Sequence, residues 1–446
     1  MPLLQYFSDW LPIKPAFYTA WLDRVSVRTE DDKANFHPAI REFKRLIERD
    51  PTLFMLFTSM FDEIPTYPPY HYDPAGDPQI RDHLEMLKVL DRVIQRAPPW
   101  SDQAWSLGIP GVPINTALKW PMATVSGRAV FLEPRVNVMF KKLLDVWAQH
   151  LSSPASLGVL NDQPDGWLSP NALSAMTKKA NIDNVEGITF ADIYICDPTR
   201  SFWGFKSWDD FFTRKFKDGL RPVAEPSNDT IIVNPCECVP YRVQSNVSKR
   251  DKFWVKAQPY SIDDILGFDS LGSRFVGGSI YQAFLGPLIY HRWHSPVTGM
   301  VKKTYKIPGT YYSQKASASF LGEPDPLAPT QSQAYETAVA TRAVIAIQAD
   351  NPDIGMVIVL PVGMSEVSSC EVTVSANQRV TKGQEIGMFH YGGSTVCLIF
   401  EKGVVVEWEK RCLPPYPEDQ PSIGISRKIA SVSLPRIAEI EDRSKQ

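Results

Sequence analysis

Two short segments in the C-terminal half hold the residues best suited to chemistry. They are Gly392-Gly393-Ser394-Thr395 and, about 100 residues earlier, the segment 290–296. Glycine lacks a Cβ, so the carbonyl of Gly393 is open to attack by the adjacent Ser394 hydroxyl. Attack turns the amide into an ester, elimination leaves dehydroalanine, and hydrolysis leaves a pyruvoyl group at a new N-terminus. A nearby histidine would be the base that the serine needs, so the pattern predicts a self-cleaving decarboxylase that builds its own cofactor.

Each segment alone also has an ordinary explanation. A Gly-Gly-Ser-Thr tetrapeptide occurs by chance in loops, and a histidine is usually a structural residue. The six cysteines are expected to be buried, reduced thiols, because none forms a CxxC pair and no second pair of Cys or His follows at zinc-site spacing. No metal site is therefore predicted, with a metal or disulfide role for these thiols as the alternative.

The elements that must position the two segments change in type along the chain. The first half shows helical periodicity, with apolar faces that end at Asp50-Pro51 and at Pro98-Pro99, and a third face that follows Glu133-Pro134. The faces are Ile40, Phe43, Leu46 and Ile47; Leu84, Leu87, Leu90, Val93 and Ile94; and Val136, Phe140, Leu143, Leu144, Trp147 and Leu151. Such faces are usually core, so no chemistry is assigned to them.

The periodicity changes near residue 195. Ser207-Trp208-Asp209-Asp210 predicts a helix start that resembles a capping box, with Asp in place of Glu. Strand-like runs then dominate, and residues 380–387 predict a tight turn between two of them. The predicted strands are 230–233, 253–255, 344–349, 355–360, 371–374 and 396–400, and a loop is predicted over 322–333.

Length and composition set the class of protein. A chain of 446 residues can bury more than one core, and we expect an α+β fold with a helical region over 1–195 and a β-rich core over 196–446. The net charge of -3 gives no electrostatic case for nucleic acid. The first six residues do not resemble a signal peptide, and the longest apolar runs, 53–61 and 356–364, are too short to span a bilayer. A cytoplasmic protein without stable membrane insertion is expected.

Several segments occur in the order found in the phosphatidylserine decarboxylase family, which is pyruvoyl-dependent. Residues 210–222 resemble its DFF-x-R run followed by RP, and residues 290–299 resemble its Y-H-R-x-H-x-P-x-x-G motif. Residues 393–395 match its G-S-T processing motif. Further similar segments are Pro235-Cys236-Glu237-Cys238-Val239, Lys256 with Tyr260-Ser261-Ile262, Pro308-Gly309-Thr310, Gly363 and Gly387-Met388-Phe389. The resemblance runs from about residue 200 to 415.

This resemblance implies a role for each matching residue. Ser394 would be the self-cleavage nucleophile and pyruvoyl precursor, and His294 the general base of maturation. His291 would lie near the substrate and serve in binding or proton transfer. Glu237 stands where the family has an aspartate that orients the histidine, so it would orient His294, with a plain structural carboxylate as the alternative. Cys238 replaces the family's flanking glycine.

The resemblance also implies the products and the cofactor. Cleavage between Gly393 and Ser394 would give a β chain of residues 1–393 and an α chain of residues 394–446. The substrate amine would form a Schiff base with the pyruvoyl group, which takes up the electrons left when CO2 departs, as pyridoxal phosphate does elsewhere. No other organic cofactor is expected. A barrel-sandwich element at 299–301 and 383–387 and a homodimer of processed protomers are implied in the same way.

Within the family the chain is similar to the soluble fungal tryptophan decarboxylases. The likeness lies in residues 389–394, 290–296, 236–237 and 40–44, followed by Asp50-Pro51. It implies decarboxylation of an aromatic L-amino acid, foremost L-tryptophan to tryptamine and CO2. Two alternatives stay open: a soluble phosphatidylserine decarboxylase that makes phosphatidylethanolamine, and a non-catalytic paralogue that never matures. The sequence does not identify the residues of the side-chain pocket; His390, beside the predicted turn, could serve there or be structural.

Overall fold

The computed structural model describes residues 36–66, 79–102, 105, 111–251, 260–314, 332–367, 369–391, 394–416 and 421–433. The predicted strand at 253–255, nearly all of the predicted loop at 322–333, and the dipeptide Gly392-Gly393 lie outside these residues. The predicted α+β class is confirmed, because helices dominate the N-terminal part and antiparallel sheets dominate the rest.

Prolines begin several helices of the N-terminal part, where the missing N–H of proline costs no hydrogen bond. In chain order the helices are α1 (Pro38–Arg49), α2 (Pro51–Asp62), α3 (His83–Val93), α4 (Pro113–Ala117), α5 (Lys119–Ala123), α6 (Val125–Leu132), α7 (Pro134–Leu151), α8 (Pro170–Ala180), α9 (Phe190–Ile193), α10 (Trp208–Phe212), α11 (Ile262–Ile265), α12 (Gly272–Phe275) and α13 (Gln333–Val339). The three predicted apolar faces lie on α1, α3 and α7. The predicted helix start at Ser207 is also confirmed, since its hydroxyl accepts a 3.0 Å hydrogen bond from Asp210 N at the start of α10.

One hydrophobic cluster joins the helices to segments of the β-rich part. Phe43 of α1 packs edge-on against Phe140 of α7 with ring centroids 5.3 Å apart. The same cluster runs on through α10 and includes Tyr290, Tyr312 and Tyr391. The helices therefore share a core with segments of the β-rich part, among them Tyr391 just before Ser394, and the boundary between residues 195 and 196 stays a prediction.

The strands form three antiparallel sheets. They are β1 (Ile231–Val233), β2 (Val239–Gln244), β3 (Ser279–Leu285), β4 (Arg292–His294), β5 (Gly299–Ile307), β6 (Arg342–Ala349), β7 (Met356–Gly363), β8 (Ser369–Val372), β9 (Arg379–Val380), β10 (Glu385–His390), β11 (Ser394–Phe400), β12 (Val406–Trp408) and β13 (Lys428–Val432). A seven-stranded sheet has the order β2-β3-β11-β7-β6-β5-β9, and the three-stranded sheets are β4-β10-β8 and β1-β13-β12. In the part of the chain described, these are open sheets rather than a closed barrel.

The central strand β11 is buried on both faces. Leu398 and Phe400 pack in one cluster with Trp293 and Phe389 of the sheet β4-β10-β8. Residues of the opposite parity, such as Ile399, pack with α11, α12 and α13. Because side chains alternate along a strand, Ser394 faces the sheet β4-β10-β8.

Six connections join the seven-stranded sheet to the sheet β4-β10-β8, and we call the three that lie at the end of the sheets near Ser394 the three crossovers. They are residues 286–291 between β3 and β4, residues 364–368 between β7 and β8, and residues 391–393 between β10 and β11. Ser394 pairs with Leu285 and with Gly363, while His390 pairs with Ser369. The residues that begin and end the crossovers are thus neighbours at one end of the two sheets.

The packing of β10 gives a test of this arrangement. A Cβ added at Gly387 would lie 2.3 Å from the carbonyl oxygen of Glu371 and 2.5 Å from the ring of Trp293. We expect Gly387→Ala to lower the free energy of unfolding by about 1–3 kcal/mol, as overpacking does, and to lower the melting temperature measured by calorimetry. Gly158→Ala is the matched control, because no atom lies within 4 Å of its added Cβ. Equal melting temperatures for the two variants would contradict the packing.

Candidate active site

Ser394 is the first residue of β11 and is fully buried. Its Oγ has no hydrogen-bond partner among the described residues. A buried polar group left unsatisfied costs about 1–3 kcal/mol, so this hydroxyl is an exception to normal packing. An oxygen that is committed to no partner is available as a nucleophile toward the preceding carbonyl, that of Gly393.

Thr395 fixes the direction in which Ser394 points. Its Oγ1 donates a 2.9 Å hydrogen bond to Ala283 O and accepts one of 3.0 Å from Gln282 Nε2. The Oε1 of Gln282 accepts in turn from the Tyr260 hydroxyl at 2.6 Å. This buried network holds Thr395 on the face of β11 that is turned away from the sheet β4-β10-β8, so Ser394 must face that sheet.

His291 ends the first crossover and is fully buried. Its carbonyl accepts a 2.9 Å hydrogen bond from Phe389 N, which ties it to β10. Its ring stacks on Phe212 of α10 with a centroid distance of 4.0 Å and an interplanar angle of 23°. The imidazole is thus held where the sheet β4-β10-β8 meets the helices.

His294 makes two ring hydrogen bonds that set its tautomer. Nδ1 lies 2.7 Å from the carbonyl oxygen of Gly383, which can only accept, so Nδ1 carries the proton. Nε2 then accepts from the Tyr290 hydroxyl at 3.0 Å. Burial lowers the pKa of His294 below its usual value, so the ring is neutral near pH 7 and Nε2 is basic.

The structure does not join His294 to Ser394 by a hydrogen bond. Trp293 lies in the cluster between the sheets, and the alternation of side chains along β4 puts the ring of His294 on the other side of the strand. For His294 Nε2 to act on the Ser394 hydroxyl, it would have to exchange the hydroxyl of Tyr290 for that of Ser394.

Glu237 is fully buried, and its carboxylate is taken by other groups. Arg221 donates to it at 2.6 Å and 3.3 Å, and Ile425 N donates at 2.9 Å. No direct hydrogen bond from Glu237 to His294 therefore supports the predicted orienting role. The nearest link is through the backbone, since His294 N donates to Pro235 O at 2.8 Å, and the orienting role stays a prediction.

His390 makes contacts that the sequence did not reveal. Its Nδ1 lies 3.0 Å from both carboxylate oxygens of Asp209, and its Nε2 lies 2.9 Å from Glu371 Oε2. Carboxylates only accept, so both nitrogens donate when the ring is an imidazolium. Burial lowers the pKa of His390, but the hydrogen bonds and charges of Asp209 and Glu371 outweigh it and raise that pKa above its usual value.

Tyr391 continues the attachment of this segment to the helices. Its φ of 66° lies in the left-handed region, which is uncommon for a residue with a side chain. Its hydroxyl donates to Ala148 O of α7 at 3.3 Å, and its ring lies near Trp147 and Trp208. Two consecutive residues before the predicted cleavage site therefore contact the helical region.

The described residues include all six cysteines. All six cysteines are free thiols, and burial raises the pKa of Cys370 to about 12 and that of Cys236 well above its usual value, so they are not nucleophiles at neutral pH.

In the described residues no group of three or more His, Cys, Asp or Glu is arranged to hold a metal ion. No helix there is both long and apolar enough to cross a bilayer.

Both parts of this chain are similar to a known protein family. Two family models described as phosphatidylserine decarboxylase match the chain, one over residues 37–176 and the other over residues 208–413. The second match contains Glu237, His291, His294 and Ser394. The first covers most of the helical region, so both parts of the chain have counterparts.

Three relatives align with different lengths of this chain. L-tryptophan decarboxylase of Psilocybe cubensis is 35% identical over 411 residues, which cover 88% of each chain. Decarboxylase iboD of Amanita muscaria is 41% identical over 302 residues, which cover 65% of this chain and 84% of the relative. Phosphatidylserine decarboxylase proenzyme 3 of Schizosaccharomyces pombe is 33% identical over 219 residues, which cover 49% of this chain and 21% of the relative.

The ion pairs of His390 generate a pH-dependent prediction. Its pKa is raised in the folded state, so the stabilisation is fully present below about pH 6.5, the unfolded value, and is lost as the pH rises through the folded value. We expect His390→Gln to lower the free energy of unfolding by about 1.5–3 kcal/mol near pH 6 and by less near pH 9, measured as melting temperatures.

The matched control is His150→Gln, in the last turn of α7. Burial lowers the pKa of His150, so its replacement should not destabilise the protein more at low pH than at high pH. If His390→Gln lowered the melting temperature by the same amount near pH 6 and near pH 9, the assignment of His390 as an imidazolium would be contradicted.

Proposed function

Because the chain belongs to the phosphatidylserine decarboxylase family and is therefore a carboxy-lyase, we propose that it is a pyruvoyl-dependent decarboxylase of an aromatic L-amino acid. The proposed reaction is L-tryptophan to tryptamine and CO2. The observation that carries the proposal is Ser394, a buried serine at the start of the central strand whose hydroxyl has no hydrogen-bond partner among the described residues. The match to a relative named L-tryptophan decarboxylase over most of both chains supports the substrate.

Maturation would proceed at the Gly393–Ser394 bond. Ser394 Oγ gives its proton to a base and attacks the carbonyl carbon of Gly393, and the C–N bond breaks as the ester forms. A base then removes the Cα proton of residue 394, and the ester departs as the carboxylate of Gly393. Water replaces the nitrogen at residue 394, and ammonia leaves.

The residues around Ser394 fit a pyruvoyl group at this position. β11 pairs with β3 on one side and β7 on the other from its first residue, so cleavage before residue 394 leaves the new N-terminus held by two strands. Buried neighbours keep bulk water from the site. Once formed, the group supplies the electron sink that decarboxylation of an amino acid requires.

His294 is the proposed base of maturation, which requires its ring to leave the Tyr290 hydroxyl and the side of β4 on which it lies, so that Nε2 can reach the Ser394 hydroxyl. His291 is proposed to act on the substrate, because it lies in the first crossover, which leaves β3 directly after the partner of Ser394. Glu237 and Arg221 form a buried ion pair with oxygen–nitrogen distances of 2.6 Å and 3.3 Å, and we propose that this pair supports His294 through the backbone, where His294 N donates to Pro235 O at 2.8 Å.

The second candidate is a phosphatidylserine decarboxylase, favoured by the description of the matching family models. The S. pombe proenzyme of that name shares only 49% of this chain, whereas the P. cubensis relative shares the helical region as well. That region supplies Trp147, whose ring lies beside Tyr391. An aromatic surrounding of this kind favours an aromatic amino acid over a lipid headgroup.

The substrate is tested by release of CO2 from L-tryptophan, L-tyrosine, L-phenylalanine and phosphatidylserine vesicles offered in parallel. We expect release from L-tryptophan with formation of tryptamine, and none from the vesicles. Ser394→Ala protein from the same purification is the control for contaminating activity. Release of CO2 from the vesicles alone would contradict the proposed substrate and favour a phosphatidylserine decarboxylase.

The residues of maturation are tested by the sizes of the chains in denaturing electrophoresis. Ser394→Ala should give one uncleaved, inactive chain, since no other hydroxyl can replace its Oγ. His294→Ala should also stay uncleaved, whereas His291→Ala should be cleaved but turn over substrate slowly. Normal cleavage of His294→Ala together with an uncleaved His291→Ala would reassign the base to His291, and an active, uncleaved Ser394→Ala would end the pyruvoyl proposal.

A further inference from the structure

Glu366 lies in the second crossover, directly beside the segment that is proposed to be cleaved. It belongs to the 3-10 turn Ser365–Val367. Three residues before it, Gly363 pairs with Ser394, and three residues after it, Ser369 pairs with His390. Paired strands lie about 4.7–4.9 Å apart, so both ends of this crossover are fixed next to both ends of residues 391–393.

The carboxyl group of Glu366 is fully buried, and only one of its two oxygens has a hydrogen-bond partner among the described residues. Oε1 accepts a 2.8 Å hydrogen bond from Asn115 N in helix α4. Oε2 has no hydrogen-bond partner among the described residues. Burial raises the pKa of Glu366 to about 7. An unsatisfied oxygen of this kind costs about 1–3 kcal/mol, which a hydrogen-bond donor from outside the chain would recover.

The direction of the side chain is fixed by the turn. Ser365, the residue before Glu366, has a φ of 55°, in the left-handed region that residues with side chains rarely adopt. Its amide donates to Tyr311 O at 3.0 Å, and its hydroxyl lies 2.8 Å from Asn115 Oδ1. Strained backbone that is held by its surroundings recurs at ligand sites.

An aromatic side chain lies close to this carboxyl group. Burial and the charge of Glu366 both raise the pKa of Tyr312 well above its usual value. The Tyr312 hydroxyl is buried and has no hydrogen-bond partner in the described part of the chain. The ring packs on Phe140 of α7 with centroids 4.8 Å apart. A polar acceptor beside an aromatic ring is a surrounding suited to a flat ligand with one N–H.

We propose that Glu366 is a specificity-determining residue whose Oε2 accepts a hydrogen bond from the ring N–H of the substrate, the indole N–H of tryptophan. This inference rests on the proposed function, because it takes the substrate amine to be held at residue 394. Gly363, three residues before Glu366, pairs with Ser394, so a side chain held at residue 394 would have Glu366 among its neighbours. A site that hydrogen-bonds a substrate N–H rejects analogues without it far better than an apolar pocket does.

The test compares kcat/KM for L-tryptophan, 1-methyl-L-tryptophan and L-phenylalanine in wild type, Glu366→Gln and Glu366→Leu. We expect the wild type to prefer tryptophan over its N-methylated analogue. Glu366→Leu should lower kcat/KM for tryptophan about 10- to 100-fold, the size of one hydrogen bond to a charged group. It should leave kcat/KM for phenylalanine within a few-fold of wild type.

Glu366→Gln is the isosteric control. It preserves volume and can keep the bond from Asn115 N through its single carbonyl oxygen, which puts an NH2 donor in the place of Oε2, so the preference for tryptophan over 1-methyl-L-tryptophan should fall without a cavity. The fraction of cleaved chain in each variant separates turnover from maturation. If Glu366→Leu fails to fold, the ratio of tryptophan to 1-methyl-L-tryptophan in wild type and Glu366→Gln still decides, because the proposal requires that ratio to fall.

Two outcomes would overturn the inference. Equal losses for tryptophan and phenylalanine would show that Glu366 serves a step common to all substrates, and an unchanged preference in both variants would show that it does not contact the ring. Either result leaves the proposed decarboxylation of aromatic amino acids intact. Failure of the wild type to act on any aromatic amino acid would instead remove the proposed function itself.

Discussion

Ser394 is paired on both sides within the seven-stranded sheet, opposite Leu285 of β3 and Gly363 of β7. Strand pairing fixes the backbone, and Thr395 on the opposite face fixes the direction of the side chain. Every other feature of the site depends on this constraint. The three crossovers meet beside Ser394 because the strands that they connect meet there, so His291 and Glu366 are brought to one place from distant parts of the chain.

The helical region contributes to the site as well as to stability. Tyr391 contacts α7, His390 contacts Asp209 of α10, and Glu366 contacts α4. The second crossover is therefore attached to the helices through Glu366, and the third through Tyr391 and the residue before it, His390. Self-cleavage requires the carbonyl of Gly393 and the hydroxyl of Ser394 to be held in one geometry, and the described residues on either side, Tyr391 and Ser394, are both held by contacts within the fold.

Local sequence patterns predicted much of the fold. The faces of α1, α3 and α7 could be identified because helical periodicity and the prolines beside it are local, and Ser207 marked the start of α10 for the same reason. The strand that begins at Ser394 was predicted two residues late, because the two glycines before Ser394 are typical of a turn and the apolar run begins only at Val396. The strand predicted at 253–255 lies outside the described residues.

The long-range partners could not be predicted. Glu366 meets Asn115 from 251 residues away, and His390 meets Asp209 from 181 residues away. No periodicity links such residues, and only the sheet topology brings them together. The same limit applies to Glu237: its motif suggested a partner in His294, whereas the fold places Arg221 against the carboxylate.

The central claim is that residue 394 becomes the group that holds the substrate amine. It is tested by incubating the purified protein with L-tryptophan and cyanoborohydride and then measuring intact masses. The account predicts two chains, with the fragment 394–446 carrying a covalently attached amine and residues 1–393 unmodified. A single unmodified chain of 446 residues, or a label elsewhere than on residue 394, would contradict it.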